Sequence, residues 1–136
     1  MKFISEIEKI ITDYSKRGDK MGPDEILKLR DRLAASSFYF ASYAGELKEV
    51  YNLNYFQKKI AVLRETQNLI KAGNPVNKSE NDAMLQAEEL IRKELESESN
   101  AYKADLLLRQ INKVLDAMQQ RISILRREAE QTSQTP

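Results

Sequence analysis

Apolar residues recur along this chain at intervals of three and four almost from end to end, the period of helices with one buried face. Phe3, Ile4, Ile7, Ile10, Ile11 and Tyr14 form the first stripe and predict a short amphipathic helix over 3–16. The run Arg17-Gly18-Asp19-Lys20-Met21-Gly22-Pro23 ends it, and its Arg17-Gly18-Asp19 tripeptide reads as a charged turn. Pro23 suits a first helical turn, where its missing N–H needs no partner, and Asp24 and Glu25 face the positive end of the helix dipole. The next helix is expected over 24–72. Its stripe runs through Ile26, Leu29, Leu33, Ser36, Phe40, Tyr43, Leu47 and Val50. Past Val50 the apolar residues change phase and continue as Leu53, Phe56, Ile60, Leu63, Gln67 and Ile70. A three-residue step in place of a four predicts a stammer that overwinds the helix locally, with a bend near Asn52–Asn54 as the alternative.

Gly73-Asn74-Pro75-Val76-Asn77 is the clearest turn. Gly73 can take the left-handed conformation that closes a helix, and Pro75 cannot continue one. Asn77 with Glu80 offers a capping box for the following helix, and Ser79 with Asp82 a second frame. That helix is expected over 78–131, with 132–136 as a frayed polar tail. Its seam reads Ala83, Ala87, Leu90, Glu94, Ser97, Ala101, Ala104, Leu108, Ile111, Leu115, Met118, Ile122, Leu125 and Ala129, an unbroken heptad. So short a connection makes the two long helices antiparallel neighbours. At about 1.5 Å per residue each would be roughly 70–80 Å long. The fold class is therefore all-α: one domain over 1–136, a long antiparallel coiled-coil-like helical hairpin with a short N-terminal helix, assembling into an oligomeric helical bundle. Pairing residues whose numbers sum to about 150 sets Glu94 against Phe56, so the helix is expected to leave strict seam packing around Glu94 and Ser97.

Composition narrows the chemistry. The chain has no Cys, His or Trp, 4 Gly and 3 Pro in 136 residues. Disulfides, thiolate catalysis, imidazole bases and the common transition-metal ligands are thereby removed. No Gly-rich phosphate loop is present. The expectation is of no enzyme, no cofactor and no metal site. Glu88, Glu89, Glu94, Glu96 and Glu98 are interleaved with Arg92 and Lys93 at ion-pair spacing and read as a solvated face. The net charge of +1 excludes a polycation that coats nucleic acid or lipid. No apolar run suits a membrane span and the N-terminus lacks a signal-peptide core, so cytoplasmic residence is expected.

Most of the aromatics crowd the second helix: Phe38, Tyr39, Phe40, Tyr43, Tyr51, Tyr55 and Phe56. At about 100° per residue, Phe38, Tyr39 and Phe40 sweep more circumference than one antiparallel partner covers. The third helix carries a surplus too, in Met84, Ile91, Leu95, Tyr102, Leu106, Leu107 and Val114. Phe38, Tyr39, Phe40, Tyr43, Tyr51, Tyr55, Phe56 and Tyr102 are the candidate interface, with a second copy of the chain the simplest partner. The bland alternative is that the first helix and a folded-back tail cover both surpluses. Lys58, Lys59, Arg64, Arg109 and Lys113 are candidate nucleic-acid contacts, since single-strand binders combine a basic track with stacking aromatics. Neighbouring acids and the lack of a binding motif disfavour that use.

The segment Leu106-Leu107-Leu108-Arg109-Gln110-Ile111-Asn112-Lys113-Val114-Leu115-Asp116-Ala117-Met118-Gln119-Gln120-Arg121-Ile122-Ser123 resembles the C-terminal helix of small all-α bacteriophage-encoded proteins, some found beside recombination or replication genes. That resemblance implies a mobile-element origin and an accessory role around DNA, binding single strands or a recombinase. It carries over no functional residue.

Overall fold

Strong helix formers and few breakers leave the chain little choice, and every regular element in the computed structural model, which describes residues 2–134, is helical. Helix α1 spans Lys2–Arg17, followed by a 3₁₀ turn at Gly18–Lys20. Helix α2 spans Pro23–Lys71, α3 Val76–Gln86 and α4 Glu88–Gln134. No helix among the described residues is long and apolar enough to cross a membrane. The expected tail is helical through Gln134, while Thr135 and Pro136 lie outside the described residues. The chain divides into two compact units, Met1–Tyr43 with Asp105–Pro136, and Ala44–Ala104.

The first unit is a three-helix core. Ile7 and Ile10 of α1, Ile26, Leu33 and Phe40 of α2, and Ile111, Met118 and Ile122 of α4 are all buried. Helix α1 runs antiparallel to α2: Arg17 approaches Glu25, Arg32 Nε donates to Glu6 Oε1 at 3.0 Å, and the Phe3 ring meets Phe40 and Tyr43 edge-on at 6.4 and 6.1 Å. Gly18 is buried beneath Tyr14, and a Cβ there would meet that ring at 2.9 Å. Arg17 is held by two hydrogen bonds to Asp13, 2.6 and 2.9 Å, which keep the Asp13 carboxyl below its ordinary range. The Arg17-Gly18-Asp19 turn is thus tied down on both sides.

The second unit is closed by the 72–75 turn. Gly73 has φ +96°, its N–H bonds to Ile70 O at 3.0 Å, and Asn74 N–H reaches back to Leu69 O at 3.1 Å. This is a Schellman closure, which satisfies carbonyls that the helix end would otherwise orphan. The capping box expected at Asn77 and Glu80 does not form. Helix α3 starts at Val76, so Asn77 and Ser79 already lie inside it, and Pro75 precedes it without a side-chain cap. Ser79 is buried and donates to Pro75 O at 2.8 Å. The expected single helix over 78–131 is interrupted at Ala87. This residue has φ −90° and ψ 13°, and its N–H is shared between the carbonyls of Ala83 and Met84. The helical ladder resumes at once with Ile91 N–H on Ala87 O.

Burial follows the α4 heptad closely. Ala83, Ala87, Glu94, Ser97, Ala104, Ile111, Met118 and Ile122 are buried, with Leu90, Ala101, Leu108, Leu115 and Leu125 half-buried and only Ala129 exposed. Helix α2 differs from expectation. It is continuous past Asn52 and Asn54, and beyond Leu47 Tyr51, Asn54, Lys58, Ala61 and Glu65 alternate at four and three on its half-buried side, with Tyr55, Val62, Thr66 and Leu69 half-buried beside them. Leu53, Phe56, Ile60, Leu63, Gln67 and Ile70, the residues on which a stammer was inferred, are all exposed. The cause lies on α4. There the seam is Ala83, Ala87, Leu90, Glu94, Ser97 and Ala101, which offers carboxylate and hydroxyl partners to polar side chains and, Leu90 apart, little apolar surface to large ones.

Two substitutions at glycine separate turn from helix. Gly73→Ala should destabilise by about 1 kcal/mol, because Ala resists positive φ. Gly45→Ala, in the interior of α2 with no atom near its added Cβ, should stabilise by about 0.5–1 kcal/mol. Urea midpoints moving the same way for both would refute the assignment of the turn. The α2 register makes a second prediction: Ile111→Ala should cost about 2–4 kcal/mol and Ile60→Ala less than about 0.5 kcal/mol. Comparable losses in thermal unfolding, measured at a dilution where light scattering shows a monomer, would restore the stammered register.

Candidate interaction surface

Polar residues in a helix seam must find partners, and in the second unit they do. Lys58 Nζ lies 2.9 Å from Glu94 Oε2, with the two side chains 24% and 12% exposed. One turn away, Asn54 Nδ2 donates to Ser97 Oγ at 3.1 Å and to Lys93 O at 3.3 Å. Ser97 Oγ also reaches the carbonyls of Lys93 and Glu94 at 2.8 and 2.9 Å. Numbers climb along α2 as they descend along α4, so these segments pair antiparallel. Glu94 therefore meets Lys58 and not Phe56, and both Glu94 and Ser97 remain buried in the seam where departure from it was expected.

The apolar residues displaced by this layer face away. Taking Tyr51 and Lys58 as equivalent seam positions, Leu53 and Ile60 fall at c and Phe56, Leu63 and Ile70 at f, on the side of α2 opposite the seam. They are 39–58% exposed, Leu53 and Phe56 most so. A second stripe runs along α3 and α4 through Met84, Leu95 and Tyr102, all exposed, with half-buried Ile91 between them. A shallow groove at its α3 end is lined by Asn81, Met84, Leu85, Glu88 and Ile91. The in-line gaps of this stripe are filled by Glu88 and Glu98, both exposed.

The sequence-derived interface residues do not fall together. Phe38 and Tyr39, in the first unit, are 73% and 62% exposed, their rings meeting edge-on at 5.7 Å. Phe40 is buried against Phe3 and Tyr43 in its own chain and offers no ring to a partner. Tyr43, Tyr51 and Tyr55 are half-buried, whereas Phe56 and Tyr102 are exposed. Leu53, Ile60, Leu63 and Ile70 join Phe56 outside. Hydrophobicity alone points them inward across the change of phase; the unbroken α4 heptad, with its two polar members, is the sequence signal that places them outside.

Of the basic candidates, Lys58 is occupied by Glu94 and Arg109 by Asp105 at 3.0 Å. Lys59 is exposed with its ammonium 5.8 Å from the Tyr55 ring centre, where Lys58 also approaches at 5.0 Å. Arg64 and Lys113 are exposed. On the acidic face Arg92 pairs with Glu89, one helical turn back, at 3.6 Å. No group of three or more acidic, His or Cys side chains able to hold a metal exists among the described residues. Comparisons with protein-family models, curated proteins and solved structures give no match.

Removing one charge from the seam tests its burial. Lys58→Met strands Glu94 and should cost about 1–3 kcal/mol, less than a fully buried pair because water reaches both groups. Lys59→Met, a residue away on the exposed side, should stay within about 0.5 kcal/mol. Equal chemical-denaturation midpoints for the two variants would remove Lys58 from the seam.

Proposed function

We propose that this chain is a non-enzymatic helical interaction or assembly protein, which self-associates through the surface of its antiparallel, coiled-coil-like hairpin. The observation that carries the reading is the outward face of α2 between Val50 and Ile70. Its large apolar residues stand exposed while polar residues fill the seam behind them. Contiguous apolar stripes of that length are uncommon on monomers and mark surfaces that are covered in use. Burying the remaining half of each Leu, Ile or Phe contributes ~1 kcal/mol, so several together are needed to offset the cost of association. A copy of the same chain is the partner present wherever the protein is, and closed symmetric assemblies are the common outcome. The phage-like resemblance of 106–123 suits such a small assembly factor, working in the cytoplasm.

Size-exclusion chromatography with light scattering at tens of micromolar should report an oligomer. A monomeric mass at that concentration would sink the proposal.

A second reading takes the protein as an accessory factor in phage DNA recombination or replication, binding single-stranded DNA or a recombinase. It is favoured by Lys59 and Arg64, exposed on the same helix as exposed Phe56, a combination that can hold a phosphate backbone and stack a base. A labelled oligonucleotide bound at low salt, with affinity falling steeply as salt rises, would support it; no binding at low salt removes it.

A further inference from the structure

Beyond Glu46 and Glu49, which are exposed at its N-terminal end, the α2 stripe of the second unit is flanked by basic residues, whereas the α3–α4 stripe holds acidic ones. From Val50 to Lys71 the exposed charged residues of α2 are Lys59, Arg64 and Lys71, all basic. Lys58 and Glu65 belong to the seam side, where Lys58 is paired with Glu94. The α3–α4 stripe is acidic along its line, with Glu88 between Met84 and Ile91 and Glu98 between Leu95 and Tyr102. Of the cations beside it, Arg92 is paired with Glu89, and Lys103 shares a shallow groove with Leu95 and Glu96. Each stripe is thus a poor partner for itself. Two α2 stripes face to face bring Lys59 and Arg64 against the same cations, and two α3–α4 stripes bring Glu88 and Glu98 together. Like charges across a closing interface cost affinity, whereas opposite ones steer and register it.

We propose that the basic apolar stripe of α2 in one copy seats on the acidic apolar stripe of α3–α4 in a second copy, a heterologous contact. This deepens the self-association proposed above and rests on it. Every copy then offers one face of each kind; with each face engaged by a different copy, the contact propagates until it closes as a ring or extends as a filament, whereas reciprocal engagement of both faces by one copy would stop at a two-fold dimer. The charges lie beside the apolar line on α2 and within it on α3–α4, so the contact weakens as salt screens them without vanishing.

A capping experiment separates this arrangement from its rivals. One variant carries Phe56→Gln and Ile60→Gln, blocking the α2 stripe; the other carries Leu95→Gln and Tyr102→Gln, blocking the α3–α4 stripe. All four positions are exposed and Gln is a good helix former, so circular dichroism should match the unaltered chain. By light scattering each variant alone should be monomeric. Their equimolar mixture should form a pair of twice the monomer mass, because each supplies the face the other lacks. If either variant unfolds, Lys59→Glu with Arg64→Glu, or Glu88→Lys with Glu98→Lys, blocks the same stripe by charge. One variant remaining a dimer alone, both assembling like the unaltered chain, or a mixture that stays monomeric would overturn the heterologous contact while leaving self-association standing. An unaltered chain that stops at a dimer overturns the heterologous contact, and one that is itself monomeric overturns both.

Discussion

The pairing of Lys58 with Glu94, beside the amide of Asn54 on Ser97, sets which side of α2 looks inward. A helix can rotate about its axis at little cost when both of its faces are similarly apolar. Past Leu47, α2 is such a helix, with Leu53, Phe56 and Ile60 competing against Tyr51, Asn54 and Lys58 for the seam. The contest is decided by the partner. Glu94 and Ser97 occupy successive seam positions of α4, and large aliphatic side chains opposite them would leave the Glu94 carboxylate without a partner. Matching polar to polar gives up some hydrophobic stabilisation and gains a unique register, the best-attested use of polar groups in helix seams.

The first unit solves the same problem differently. With three helices sharing Ile7, Ile10, Ile26, Leu33, Ile111, Met118 and Ile122, its core is conventionally apolar and its ionic contacts sit at the rim, in Arg32 with Glu6 and Arg17 with Asp13 and Glu25. Helix α1 makes this possible by adding an apolar face that two helices alone would lack. The two units thus differ in what specifies them. Packing volume does so in one, hydrogen-bond partnership in the other.

How much of this was legible follows from the kind of signal each element carries. Helix type and the 72–75 turn could be read from composition, spacing and one glycine, because those act locally. The α4 seam could be read as far as Leu125, because its heptad never breaks and periodicity survives two polar members. The α2 register could not, since its largest hydrophobic residues lie on the wrong side. Only the identity of the facing residues, Glu94 with Lys58 and Ser97 with Asn54, reveals that. The start of α3 was misplaced for a related reason: Asn77 has the chemistry of a cap, but Pro75 admits the chain to helix earlier. Of the candidate surface, Phe38, Tyr39 and Tyr102 could be read as surplus aromatics, whereas Phe40 stands on the inward stripe of α2 as well, and it is that side that Phe3 covers.

A domain whose greasy side faces inward carries its stability with it. The second unit keeps much of that driving force on the outside, along α2 from Leu53 to Ile70. Whatever covers that stripe binds the folded form alone, and by mass action adds to its folding free energy in proportion to the logarithm of its own concentration. On the self-association proposed above, the conformational stability of residues 44–104 would rise in company and fall on dilution, a dependence that the apolar core of the first unit does not call for.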